Sequence, residues 1–174
     1  LLHYDGSDWK FLNIPDIRAG FYRIVQKKFN GEFIIYGFNS DVGFLDKLYV
    51  YDGSTIREIY SDYEQPILEE MNGEVYVSLD RKIYKYNNDS LYFWKDFPGT
   101  SFFAFKGGRS VMDFFGVSVE GLLHYNGVDL QAIFNTYPKE IGLYRVFVFE
   151  KTVFITAYEE NTQLNFIIRG TLKD

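Results

Sequence analysis

A short pattern ending in Tyr-Asp-Gly or Tyr-Asn-Gly recurs along this chain, and no other feature constrains the fold as much. It reads Leu1-Leu2-His3-Tyr4-Asp5-Gly6, then Leu48-Tyr49-Val50-Tyr51-Asp52-Gly53, then Ile83-Tyr84-Lys85-Tyr86-Asn87-Asn88. It returns as Leu122-Leu123-His124-Tyr125-Asn126-Gly127 and, decayed, as Asn165-Phe166-Ile167-Ile168-Arg169-Gly170. Successive copies start 47, 35, 39 and 43 residues apart. A period of roughly 40 residues marks an architecture in which each unit buries its apolar face against its neighbours.

Between the copies lie pairs of β-rich runs joined at Asn30-Gly31, Asn72-Gly73, Gly107-Gly108 and Glu150-Lys151. Asn-Gly between apolar runs is a hairpin signal, because a type I′ turn needs positive φ at both central residues. The four prolines, Pro15, Pro66, Pro98 and Pro138, all fall between units. Proline has no N–H for a sheet ladder and belongs in connections. Aromatic residues make up 20% of the chain, which suits pleated, half-buried surfaces.

These regularities predict units of four short strands, a to d. Unit one spans a at 21–30, b at 31–38, c at 47–52 and d at 55–60. Unit two has 67–71, 74–79, 82–86 and 91–97. Unit three has 101–106, 110–117, 122–125 and 130–135. The last unit has 143–150, 152–158 and 164–169, without d. An unattached c–d pair stands at the N-terminus, at 1–4 and 9–14.

The expected fold class is all-β and β-propeller-like, with about four four-stranded antiparallel blades. One domain is expected over 1–174, with repeat units at about 1–15, 21–61, 66–97, 101–135 and 143–174. The surplus c strand leaves a closed four-blade ring and a slice of a larger propeller both open, with the slice ahead. An irregular β-sandwich or meander is the plainer alternative. The chain starts in mid-strand with neither signal peptide nor initiating Met, which suggests a processed product, an excised domain or a fragment.

The stretch Ser110–Val117, followed by Glu120-Gly121-Leu122-Leu123-His124-Tyr125-Asn126-Gly127, resembles bacterial propeller repeats. Those carry a strand, a glycine, a strand ending in His-Tyr-Asp/Asn-Gly, and then Trp. Asp5-Gly6-Ser7-Asp8-Trp9 matches that ending. The resemblance implies the fold and a secreted, periplasmic or cell-surface setting, as in secreted propellers and the sensor propellers of two-component regulators. It implies no catalytic residues.

Chemistry-bearing sets are scarce. The chain has no cysteine, which excludes disulfides and Cys-based zinc or redox sites. His3 and His124 share a repeat position that is elsewhere Val50, Lys85 or Ile167, so they read as strand residues rather than metal ligands. Asp5-Gly6-Ser7-Asp8 and Asn87-Asn88-Asp89 lack the oxygen series of a calcium loop and read as turns. Glu69 and Glu70 are strand neighbours pointing to opposite faces, so they cannot act together on one bond. Trp9 and Trp94 both precede Lys in d strands, and core packing is the better reading of both. No cofactor, metal or catalytic set is expected.

The net charge of −6, with basic residues scattered, argues against a nucleic-acid partner. No apolar run approaches the roughly 20 residues of a membrane span, so membrane insertion is not expected.

Strand alternation puts the b–c and d–a connections on one end of the domain, where variable loops make a binding face. That face carries the candidate ligand-binding residues Asp41, Phe44, Asp46, Tyr63, Tyr137, Glu159 and Glu160. Acidic and aromatic, it suits a carbohydrate, a peptide or a protein. The leading expectation is a non-catalytic binding or scaffold module. The alternatives are the ligand-sensing part of a larger receptor and a glycan or ester hydrolase using Asp46, Glu159 or Glu160. Open blade edges also offer a route to self-association.

Overall fold

The computed structural model describes residues 2–11, 25–27, 31–39, 43, 45–99, 104–137 and 140–171, the side chains of 25–27, 38 and 39 excepted. Among the described residues seventeen strands fall into five antiparallel sheets, with no helix. The N-terminal hairpin is β1 (Leu2–Tyr4) and β2 (Trp9–Phe11). Unit one is β3 (Val25–Lys27), β4 (Phe33–Asn39), β5 (Leu45–Tyr51) and β6 (Ile56–Asp62). Unit two is β7 (Ile67–Met71), β8 (Glu74–Leu79), β9 (Lys82–Asn87) and β10 (Ser90–Asp96). Unit three is β11 (Ala104–Ser110), β12 (Asp113–Ser118), β13 (Gly121–Tyr125) and β14 (Leu130–Asn135). Unit four is β15 (Ile141–Val148), β16 (Thr152–Glu159) and β17 (Leu164–Thr171). Each four-strand unit is a simple meander in chain order, as the repeat predicts.

The recurrent Tyr-Asp/Asn-Gly pattern is a turn module joining c to d. In unit one Asp52 accepts the N–H groups of Ser54 and Thr55 at 2.9 and 2.8 Å, and Tyr51 donates its hydroxyl to Gly53 O at 2.7 Å. Asp5 takes Ser7 and Asp8, both at 2.9 Å, and Asn126 takes Val128 and Asp129 at 3.0 and 2.8 Å. Tyr4 and Tyr125 close the same bond to Gly6 O and Gly127 O. The glycine stands at φ +106°, +99° and +92° in the three copies, a region an L side chain avoids. Unit two departs from this: Asn88 and Asp89, at φ +46° and +59°, make a two-residue turn between Asn87 and Ser90.

The Asn72-Gly73 turn also forms as predicted, at φ +51° and +78°. Gly107-Gly108 does not turn the chain. Both lie inside β11, where the register with β12 shifts twice, and the turn falls at Val111-Met112. The reason is steric: a Cβ on Gly108 would sit 2.5 Å from Phe114, and one on Gly107 3.0 Å from Val146 O. The glycines admit neighbouring backbone and create bulges.

Alternation along the strands gives every unit two apolar faces, and consecutive units stack through them. Ile34, Tyr36, Leu48 and Val50 of unit one pack with Leu68, Val75, Val77, Leu79 and Tyr86 of unit two. Tyr76, Ile83 and Phe97 of unit two meet Phe105, Phe114, Leu123 and Tyr125 of unit three. Phe115 and Leu122 of unit three meet Leu143, Val153, Ile155 and Ala157 of unit four. Phe114 is fully enclosed, its ring 4.6 Å from Phe105 and 5.1 Å from Tyr125. Burying one such side chain contributes about 1.5–3 kcal/mol. The first strands also approach in series: β3 meets β7, β7 meets β11, and β11 meets β15. The sheets therefore converge on their first strands.

The two tryptophans part ways. Trp94 packs in the unit two–three seam against Tyr76, Phe97, Phe114 and Tyr125, as expected. Trp9 is 65% exposed, its ring 5.2 Å from that of its cross-strand neighbour Tyr4, so core packing fails for it.

Candidate functional site

The connections between units three and four build a cleft of about 380 Å³ lined by Val119, Thr136, Tyr137, Glu140, Ile141, Gly142 and Glu160. Its walls come from the b–c turn of unit three, the chain crossing from unit three to four, and the b–c turn of unit four. These are connections that strand alternation assigns to one end of the domain. Tyr137 is 78% exposed, and its N–H is held by Asn135 Oδ1 at 2.9 Å. The Tyr137 side chain therefore stands out from a fixed backbone. Glu140 takes φ +50°, unusual for a glutamate, and its carbonyl accepts the Glu160 N–H at 3.2 Å. That bond ties the two acidic residues together at the backbone. Thr162 donates to Glu159 Oε2 at 2.6 Å beside them.

An exposed aromatic ring beside carboxylates has a definite chemistry. The ring gives an apolar platform, and the carboxylates accept hydrogen bonds from hydroxyls or pair with a cation. Val119, also exposed, widens the apolar floor.

The predicted residues are placed as follows. Tyr137 and Glu160 share the cleft, and Glu159 ends the strand that leads into it. Tyr63 is exposed on the crossing from unit one to unit two, and Gly43 of the β4–β5 connection comes close to its ring. Asp41 and Phe44 lie outside the described residues. Asp46 is corrected: it is not a loop residue but the second residue of β5, buried, with its carboxylate accepting the Tyr36 hydroxyl. The strand reaches further than its apolar run, because Leu45 and Asp46 still pair with Asn39 and Phe38. The hydrolase carboxylates are thus divided between unit one and unit four.

Both histidines have structural surroundings. His124 Nε2 lies 2.8 Å from Asp113 Oδ1, with its ring stacked on Phe115 at 4.6 Å. His3 sets its ring edge-on to Tyr51 at 5.7 Å and Phe33 at 6.5 Å. Among the described residues no three His, Asp or Glu side chains gather as a metal site. Among the described residues no helix is long and apolar enough to cross a membrane.

A second polar group lies on the converging first strands. Glu69 of β7 is partly buried, and burial pushes its carboxyl up to about 7, against the opposing pull of Arg145 on β15 and Lys106 on β11. Burial likewise pushes the Lys106 ammonium down. Among the described residues no hydrogen bond reaches the Glu69 side chain. Sequence reading paired Glu69 with Glu70 and missed this grouping. The available signal was positional: Glu69 and Lys106 each directly follow the buried first-strand residues Leu68 and Phe105.

Comparison with protein-family models, with curated proteins and with solved structures finds no match for this chain.

Proposed function

We propose that the chain is a propeller-type stack of blades, a segment of a larger propeller, acting outside the cytoplasm as a non-catalytic carbohydrate-binding module. The observation that carries this reading is the Tyr137 cleft. It joins an outstanding aromatic ring to Glu140 and Glu160 on the connection end of a rigid repeat scaffold. Pyranose rings stack their C–H faces on aromatics while their hydroxyls donate to carboxylates, so a neutral or amino sugar fits this chemistry. An acidic glycan does not, because the lining is acidic and the chain carries a net charge of −6. The converging first strands and repeated unit-on-unit seams support the propeller reading.

The test is glycan-array screening followed by calorimetry on the best neutral or amino-sugar hit. Tyr137→Ala should weaken binding at least tenfold and leave the melting temperature unchanged, since the ring contributes little to the core. Glu160→Gln should weaken it less. Equal affinity in Tyr137→Ala and the parent protein would remove the cleft from consideration. Turnover of any glycan would overturn the non-catalytic reading.

A further inference from the structure

The first strands carry a polar or ionisable residue at one shared level of the repeat. On β7, Glu69 pairs with Tyr76, which pairs in turn with Lys85. On β15, Arg145 pairs with Thr156, which pairs with Ile167. On β11, Gly107 pairs with Phe115 and Phe115 with His124, and Lys106 is the extra residue that a bulge inserts beside Gly107. On β3, Gln26 pairs with Ile34, which pairs with Val50. Val50, Lys85, His124 and Ile167 hold one repeat position, so Gln26, Glu69, Lys106 and Arg145 stand at equivalent heights in successive units.

Because the first strands converge, equal height in the repeat becomes proximity in space. Cross-strand partners share a face, and Tyr76 packs into the unit two–three seam. Glu69 therefore turns toward unit three, where Lys106 lies. Glu69 feels the charges of both Lys106 and Arg145, and Lys106 feels those of both Glu69 and Arg145. Among the described residues no hydrogen bond or ion pair reaches any of these three side chains.

A charge withdrawn from water is costly unless it is paired, and burial works against the charged forms of both Glu69 and Lys106. Lys106 and Arg145 also repel each other. The one carboxyl among them is raised to about 7, so near neutral pH it does not offset both cations. The group is therefore locally positive within a chain of net charge −6. A guanidinium presents parallel N–H donors that match an oxyanion, and an ammonium adds a point charge. A protonated carboxyl adds one O–H donor. Three such donors on converging strands suit one small oxyanion, whereas a cation would meet two like charges.

We propose that Glu69, Lys106 and Arg145 form a binding site for a small oxyanion, a carboxylate or a phosphate, among the first strands of units two, three and four. The site goes beyond the carbohydrate reading. It shares no residue with the Tyr137 cleft and stands whether or not that cleft takes a sugar.

Calorimetric titration of the full chain with inorganic phosphate and, separately, with acetate tests this, at about pH 8 and at constant ionic strength in chloride. At least one of the two anions should bind saturably, one per chain, and which of them does so decides between a phosphate and a carboxylate site. Arg145→Met and Lys106→Met should each weaken that binding about tenfold. Glu69→Gln should strengthen it several-fold, because glutamine keeps a donor and removes the carboxylate charge that opposes the anion at this pH. These opposite signs keep the test decisive even if Lys106→Met does not fold, since Arg145 is exposed and Glu69→Gln removes a partly buried charge. A parent chain that binds neither anion would overturn the proposal. Binding no weaker in Arg145→Met, or no tighter in Glu69→Gln, would mean an adventitious ion only and would overturn it as well.

Discussion

Replacing Glu69 by glutamine should change how the stability of this protein depends on pH. Glu69 lies among the converging first strands, with Lys106 facing it from β11 and Arg145 from β15. Burial outweighs both cations and holds its carboxyl at about 7, against an ordinary value of 4.5. Between these two values the folded protein keeps a proton that the unfolded chain has released. Stability must therefore fall as pH rises from 4.5 to about 7 and level off above that. At about 1.4 kcal/mol per pH unit, that interval amounts to about 3 kcal/mol as a ceiling. Glutamine keeps the shape and never ionises, so Glu69→Gln removes this slope. Urea unfolding followed by Trp94 fluorescence reads the difference directly. The variant should match the parent at about pH 4 and exceed it by up to about 3 kcal/mol at about pH 8. Subtracting the two curves cancels the titrating groups that do not interact with Glu69. Parallel curves would refute the reasoning, because they would mean that the ionised carboxylate is as well solvated or paired in the folded protein as in the unfolded one.

Three further outcomes follow from the packing and the turns. Phe114→Ala empties the centre of the unit two–three seam and should cost about 3–5 kcal/mol, read as a lower urea midpoint. Asp52→Ala strips the acceptor from the Ser54 and Thr55 N–H groups and from Arg57, and should lower the melting temperature. Asp52→Asn should be nearly neutral, because Asn126 fills that role in unit three; a melt as low as that of the alanine variant would show that the charge, not the acceptor, matters. Gly108→Ala should destabilise strongly, since its Cβ would fall 2.5 Å from Phe114, and a wild-type melt would show that β11 can shift to make room.

Local chemistry was legible in the sequence wherever one turn or one strand settled it. The Tyr-Asp/Asn-Gly module is closed by hydrogen bonds within four residues, so its spelling suffices, and it joins c to d in the N-terminal hairpin, unit one and unit three. Asn72-Gly73 is readable for the same reason, since its two positive φ angles belong to adjacent residues. What lay between units was not legible. Gly107-Gly108 reads as a turn until Phe114 and Val146 come up against it, and only then do the glycines serve as room for another backbone. Trp9 and Trp94 both precede a lysine in a d strand, yet Trp94 is enclosed and Trp9 is open. The difference is whether a neighbouring unit covers that face. Asp46 joins a strand because Phe38 and Asn39 extend the ladder beside it. Glu69, Lys106 and Arg145 lie 37 and 39 residues apart in sequence and meet only because the first strands of three sheets converge. Hydrogen bonds within a turn are fixed by neighbours along the chain, whereas burial, close approach and electrostatic pairing depend on which sheets face one another. The sequence by itself determined the unit and the turns closed by their own residues, and the tertiary structure decided which faces are seams and which stay open.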